Sequence, residues 1–174
     1  IVGEVRGVEA FVLFQGMASG HPSLGTMHAE DVPTMVRRLE TPPINLSPAL
    51  VDSLDIVCVM TTVKLKDTIV RRVKEVVEIL RVEENIGETI ENKPFIWDPR
   101  KDKFFFKSDS RVFDKIVLQH GLLKQELYRE FRVRTELLMR MYRKGISGYK
   151  EVHDIINEYY KAPHIVLKRF GIIQ

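Results

Sequence analysis

IVGEVRGVEAFVLFQGMASGHPSLGTMHA, residues 1–29, is the stretch whose reading decides the fold. Ile1 and Val2 read as the end of an apolar strand, broken by Gly3 and followed at once by the charges of Glu4 and Arg6. A compact domain rarely opens in mid-strand, so the sequence is expected to begin inside a fold, as a fragment of a longer protein. Val8, Phe11, Val12, Phe14 and Met17 cover more than one helical face, which predicts a helix over residues 8–19 buried between layers. Ser19-Gly20 ends it, and residues 23–29 read as a short strand. Strand, helix, strand is an α/β order, and it would bring Glu4, Arg6, Thr26 and His28 to one rim at neighbouring strand ends.

Downstream, Asp31 reads as an N-cap with Pro33 in the first turn of a helix to Glu40. Pro42-Pro43 stops it, and Ser47-Pro48 opens a short helix through Leu54. Ile56–Met60 is a continuous apolar run and reads as a buried strand, with Cys58 an inert core residue. Lys66-Asp67 turns the chain into an antiparallel strand over residues 69–80. The polar stretch Glu83–Asn92 reads as a boundary, dividing the chain into residues 1–92 and 93–174. Phe95–Trp97 and Phe104–Phe106 then form a β-hairpin, and the period turns helical after Ser110. Leu123, Leu127, Phe131, Leu138 and Met141 stripe a long helix. Ser147 caps a last one carrying Val152, Ile155, Ile156 and Tyr159, ended by Ala162-Pro163.

Composition bounds the class. Of 174 residues, 44% are hydrophobic and 29% charged, enough apolar content for a real core. No apolar run approaches the ~20 residues that span a bilayer. The single cysteine, Cys58, excludes an intramolecular disulfide and a multi-cysteine metal site. The net charge of +3 hides an asymmetry. Residues 1–99 hold 10 Lys+Arg against 15 Asp+Glu, a balance of −5; residues 100–174 hold 17 against 9, a balance of +8. The basic half raises nucleic acid and anionic membrane as partners. The arginines at 129, 132, 140 and 143 read first as a solvated helix flank, and Phe104–Phe106 as hairpin packing before a base-stacking platform.

The rim residues suit an anionic substrate. Arginine and histidine donate to phosphate oxygens, and a carboxylate such as Glu4 handles water or a metal's water shell. A local ion pair at a strand end and two structural histidines are the bland alternatives. Zinc is the rival, disfavoured because His21 and His28 are seven apart with one acid and no nearby cysteine.

The strings Gly3-Glu4-Val5-Arg6, Gly20-His21 and Thr26-Met27-His28, continued by the run to Glu40, resemble the Walker B and histidine boxes of the secretion-type AAA-like ATPases. That superfamily drives type II secretion, type IV pili, the archaellum and conjugative secretion. The resemblance covers roughly residues 1–80. Residues 97–174 are similar to the helical tail of archaeal members. It implies the C-terminal part of a RecA-like P-loop ATPase core, followed by a β-hairpin and a helical C-terminal extension. It also implies a hexamer, ATP and Mg²⁺ as ligand and cofactor in the full-length protein, a membrane platform protein as partner, and a cytoplasmic place at the inner face of the cell membrane. Glu4 would be the Walker B glutamate, touching Mg²⁺ through water. His21 and His28 would sense the γ-phosphate, Arg6 and Thr26 would line the nucleotide, and Glu9 and Arg37 are weaker carry-overs.

One departure matters. The family's phosphate loop, Gly-x4-Gly-Lys-Ser/Thr, is absent, since none of the ten glycines begins it. The family places that loop upstream of the Walker B strand. These 174 residues alone are therefore expected neither to bind ATP tightly nor to hydrolyse it. The alternatives are a RecA-like nucleic-acid motor, against which the histidine boxes argue, and a non-catalytic docking module.

Overall fold

The computed structural model describes residues 1–83, 85–107 and 109–173. The chain divides into two compact units, Ile1–Val112 and Phe113–Gln174. The first holds helices α1 (Glu9–Ala18), α2 (Val32–Glu40) and α3 (Pro48–Val51). It also holds strands β1 (Ile56–Leu65), β2 (Thr68–Val82), β3 (Thr89–Asp98) and β4 (Lys103–Phe106). The second is helical: α4 (Arg111–His120), which starts at the division, then α5 (Lys124–Arg143), α6 (Tyr149–Lys161) and α7 (Pro163–Arg169).

The helices of the first unit start where local chemistry starts them. Asp31 accepts a 2.9 Å hydrogen bond from the Thr34 N–H, a cap worth about 1 kcal/mol. From it α2 runs with Val32, Met35, Val36 and Leu39 buried. α1 buries Ala10, Leu13 and Phe14, but Val8, Phe11 and Val12 remain exposed. It is therefore covered on one face, not between two layers as its all-round apolarity predicts.

The four strands form one antiparallel sheet in the order β1-β2-β3-β4. Among the described residues the parallel pairing expected at the rim is reduced to one bridge, Val2 with Gly25. Residues 23–29 run extended without becoming a strand, because their backbone ties to residues 2–5 end at Thr26. The structure is thus mixed α and β, one four-stranded antiparallel sheet with several helices.

Two further expectations need correction. Val59 of β1 is buried, but Ile56, Cys58 and Met60 are exposed, so the apolar run is a half-buried edge strand and Cys58 is a surface thiol. The boundary after residue 92 falls inside β3, whose Thr89–Asn92 pairs with Glu78–Val82 of β2. The polar stretch was a turn and the start of a strand; its Glu84 lies outside the described residues. The compact units separate twenty residues later, after Val112. Glu78 closes that end of the first unit. Its buried carboxylate accepts from the Arg111 N–H at 2.8 Å, from Asn92 Nδ2 at 2.7 Å and from the Ser110 hydroxyl, capping the start of α4.

Asp102, at the β3–β4 turn, is clamped by both Nε and Nη2 of Arg72 at 2.8 Å and by Trp97 Nε1 at 2.9 Å. Arg72 first, then the indole N–H, lowers its pKa to about 2. A depressed carboxyl contributes stability above its unfolded pKa of about 3.9, and that contribution is lost as pH falls towards 2. Asp102→Asn is expected to lower the urea midpoint at pH 7, with the gap from wild type closing between pH 4 and 2. Equal gaps at pH 7 and pH 2 would contradict the clamp.

In the second unit Leu137 and Met141 of α5 pack with Ile155 and Tyr159 of α6 and with Val166, Leu167 and Phe170 around α7. Of the expected stripe Met141 lies in this core, whereas Leu138 and Leu123 are exposed and Phe131 packs edge-on against Phe113. Gly148, not Ser147, is the α6 N-cap. Pro163 ends α6 and also opens α7, where its missing N–H costs nothing, so the helical series continues past the expected stop. Of the arginine series, Arg140 is tied to Glu136 and to the Phe170 and Gly171 carbonyls, and Arg143 lies 3.9 Å from Glu136. Arg129 and Arg132 are exposed. Phe106 stacks on Phe95 with ring centroids 4.6 Å apart, while Phe104 and Phe105 are about half exposed. No helix among the described residues is long and apolar enough to cross a membrane.

Candidate functional site

The site is assembled by a short parallel zip. Val2 N–H donates to the Leu24 carbonyl and Val5 N–H to the Thr26 carbonyl, both at 2.8 Å. The Thr26 hydroxyl adds a bond to the Gly3 carbonyl. Val5 is buried, so the alternation of an extended chain turns Glu4 and Arg6 outward. His28, two residues beyond the last of these ties, then reaches Glu4.

Glu4 Oε1 lies 2.6 Å from Arg6 Nε and 3.3 Å from His28 Nε2. Oε1 itself is shut off from solvent, although the side chain as a whole is 32% exposed. Neither contact is aligned as a hydrogen bond, and the contact with Arg6 is an ion pair. The Arg6 guanidinium holds the carboxyl below the usual range against the opposing effect of burial, and His28 adds a smaller pull the same way. Glu4 is therefore a durable anion and a weak proton acceptor.

The other candidates separate. Glu9 accepts from the Arg6 and Gly7 N–H groups at 2.5 and 2.8 Å, which lowers its pKa and closes the turn into α1. His21 sits past the end of α1, exposed, with Nδ1 3.1 Å from Ser19 Oγ. No contact among the described residues joins it to Glu4 or His28. Arg37 is exposed on α2 beside Gly87, whose positive φ of 80° and near approach to Arg37 and Pro33 leave no room for a side chain. Its neighbour Arg38 does reach the cluster: Nη1 donates to the His28 carbonyl. Sequence reasoning missed Arg38, since only the fold of residues 28–32 tells which of two adjacent arginines turns back.

Glu4, Arg6, His28 and Arg38 line a cleft of about 400 Å³ with Thr41, Pro42 and Pro43. Among the described residues no group of three metal-ligating side chains exists. One carboxylate beside cationic and imidazole donors does not make a closed metal cage. It does fit a hydrated Mg²⁺ shared with substrate phosphates, which ordinarily uses one or two carboxylates and keeps its waters. A second groove, of about 550 Å³, lies between extended residues 24–29 and the open edge of β1, over Leu13, Phe14, Met17, Met35 and Leu39.

With this geometry in place, comparison with known proteins decides the family. Residues 1–100 match the family model described as type II/IV secretion system protein. The chain belongs to that family. Residues 101–172 of the chain match a second model, PilB3-like, C-terminal. An uncharacterized protein of Methanocaldococcus jannaschii is 33% identical over 162 residues, covering 88% of this chain and 60% of the relative. Another from the same organism is also 33% identical, over 165 residues, covering 92% of this chain and 30% of the relative. The chain thus spans about 60% of the length of the first of these relatives and about 30% of the second.

Proposed function

We propose that these residues form the γ-phosphate side of an ATPase that powers a secretion or filament machine, with the phosphate-binding loop supplied by a segment outside them. The observation that carries this reading is the Glu4–Arg6–His28 cluster, set at a rim in a chain of the type II/IV secretion family. The groove between residues 24–29 and β1 supports it, because the open edge of β1 borders an apolar floor, a seat for one further strand.

In the proposed reaction water attacks the γ-phosphorus and the bond to the bridging oxygen of ADP breaks. Positioning and charge neutralisation supply most of the rate. Bound Mg²⁺ would neutralise charge on the phosphate oxygens. The ionised Glu4 orients the attacking water and holds the metal's water shell. Arg6 and His28 donate to γ-phosphate oxygens, and Arg6 is placed to report on whether that phosphate is present. Thr26 fixes the rim through Gly3. His21 comes into play only if a further segment brings it to the nucleotide, and Glu9 and Arg37 support the fold around the site.

The remainder of the proposal follows the family: a hexamer, cytoplasmic, held at the inner face of the membrane through a platform protein, with the second unit as a docking element. The full-length gene product is expected to hydrolyse ATP only with Mg²⁺ and without nucleic acid. Absence of Mg²⁺-dependent hydrolysis would overturn the reading. Hydrolysis that appears only with single-stranded DNA, and falls steeply with salt, would favour a nucleic-acid motor.

A further inference from the structure

We propose that Arg38 is a positioning residue for His28: it transmits the fixed placement of α2 to the imidazole that faces Glu4. The proposal rests on the ATPase reading only for its kinetic consequence; the geometric consequence stands by itself.

Among the described residues the backbone that carries His28 makes no backbone–backbone hydrogen bond of its own, although Met27 and Ala29 on either side pack against the core. Residues 24–26 are tied to residues 2–5, and the next backbone bond is Met35 N–H to the Asp31 carbonyl, so residues 27–30 lie between two anchors. The His28 side chain is 85% exposed, so packing does not fix it either. Its carbonyl accepts from Arg38 Nη1, across ten residues of chain. Arg38 can serve as a fixed point because α2 is fixed: Val32, Val36 and Leu39 are at most 2% exposed. A guanidinium is suited to the task. It is always charged, and its planar fork loses little freedom for each bond it makes. One donor on a carbonyl leaves others along the cleft that Glu4 and Arg6 line. Without this tie, the 3.3 Å approach of His28 to Glu4 would depend on the packing of Met27 and Ala29 alone, which leaves the His28 peptide unit free to turn.

Four variants of the full-length protein test this: Arg38→Gln, Arg38→Lys, His28→Ala, and Arg38→Gln combined with His28→Ala. Arg38→Gln is expected to lower kcat about 10- to 100-fold, with KM for ATP within about threefold and the melting temperature little changed. Arg38→Lys should restore part of the rate. In the His28→Ala background Arg38→Gln should add nothing, the mark of two residues acting as one. An unchanged kcat, a KM rise matching the kcat loss, or additive effects would each overturn the proposal; the KM result would place Arg38 on the phosphate directly. A second readout needs no activity. In wild type, nuclear Overhauser contacts between the His28 ring protons and the Glu4 Hγ protons are expected, and Arg38→Gln should remove them. Their persistence would overturn the proposal. If the wild type shows these contacts but no hydrolysis, the ATPase reading fails while the positioning role is still decided.

Discussion

Glu4→Gln in the full-length protein abolishes steady-state ATP hydrolysis and leaves ATP binding within about threefold: that is the expected result, and the largest effect on activity. Glutamine keeps the size of the side chain but removes the negative charge that Arg6 and His28 surround at 2.6 and 3.3 Å. The charge is what orients water and a hydrated metal, and groups of this kind typically contribute ~10²-fold or more. Binding survives because Arg6 and His28 remain as donors, and Arg6 no longer spends its guanidinium on a carboxylate. The measurement is a coupled ATPase assay paired with a nucleotide titration. A variant that keeps more than about a tenth of the wild-type rate removes Glu4 from the chemistry.

The largest effect on stability is expected from Leu137→Ala, about 2–5 kcal/mol, since the side chain is 4% exposed among Met141, Ile155, Tyr159 and Val166. Leu138→Ala, one residue on and 54% exposed, should change stability by less than about 0.5 kcal/mol. The pair is diagnostic because the two substitutions are chemically identical and differ by one helical step of about 100°. Chemical denaturation of both variants is the check, with the ATPase rate of the folded proteins as control. A larger loss for Leu138 would mean that the helix is turned or that its outer face is covered by a partner. Lost hydrolysis in a fully folded Leu138→Ala would mean that the tail gates the site.

What could be read from sequence was what local chemistry dictates. The Asp31–Thr34 cap needs four residues and was legible. The meeting of Glu4 with His28 was legible because each lies one or two residues beyond a short extended run, and parallel runs end on the same side. What required long-range partners was not. Thr89–Asn92 is polar and reads as a loop; pairing with Glu78–Val82 makes it a strand, and nothing local announces that ladder. Cys58 sits in an apolar run, yet β1 is an edge strand with one face open. On α5 Met141 was legible but Leu137 was not, because Leu138 falls seven residues after Phe131 and takes its place in a heptad count. The true core face runs through Leu137 and Met141. Arg38 was passed over for Arg37 because the helix pattern assigns both to solvent, and only the return of α2 past His28 separates them.

The measurement that tests the central claim most directly is a titration of labelled ATP against the 174-residue chain and against the full-length protein under identical conditions, with Mg²⁺ present. If Glu4, Arg6 and His28 are one side of a site whose phosphate loop lies elsewhere, the chain alone binds no tighter than about 1 mM, because no backbone cradle or P-loop lysine neutralises the phosphates. The full-length protein then binds at least about 100-fold tighter. Micromolar binding by the 174 residues alone would contradict the account.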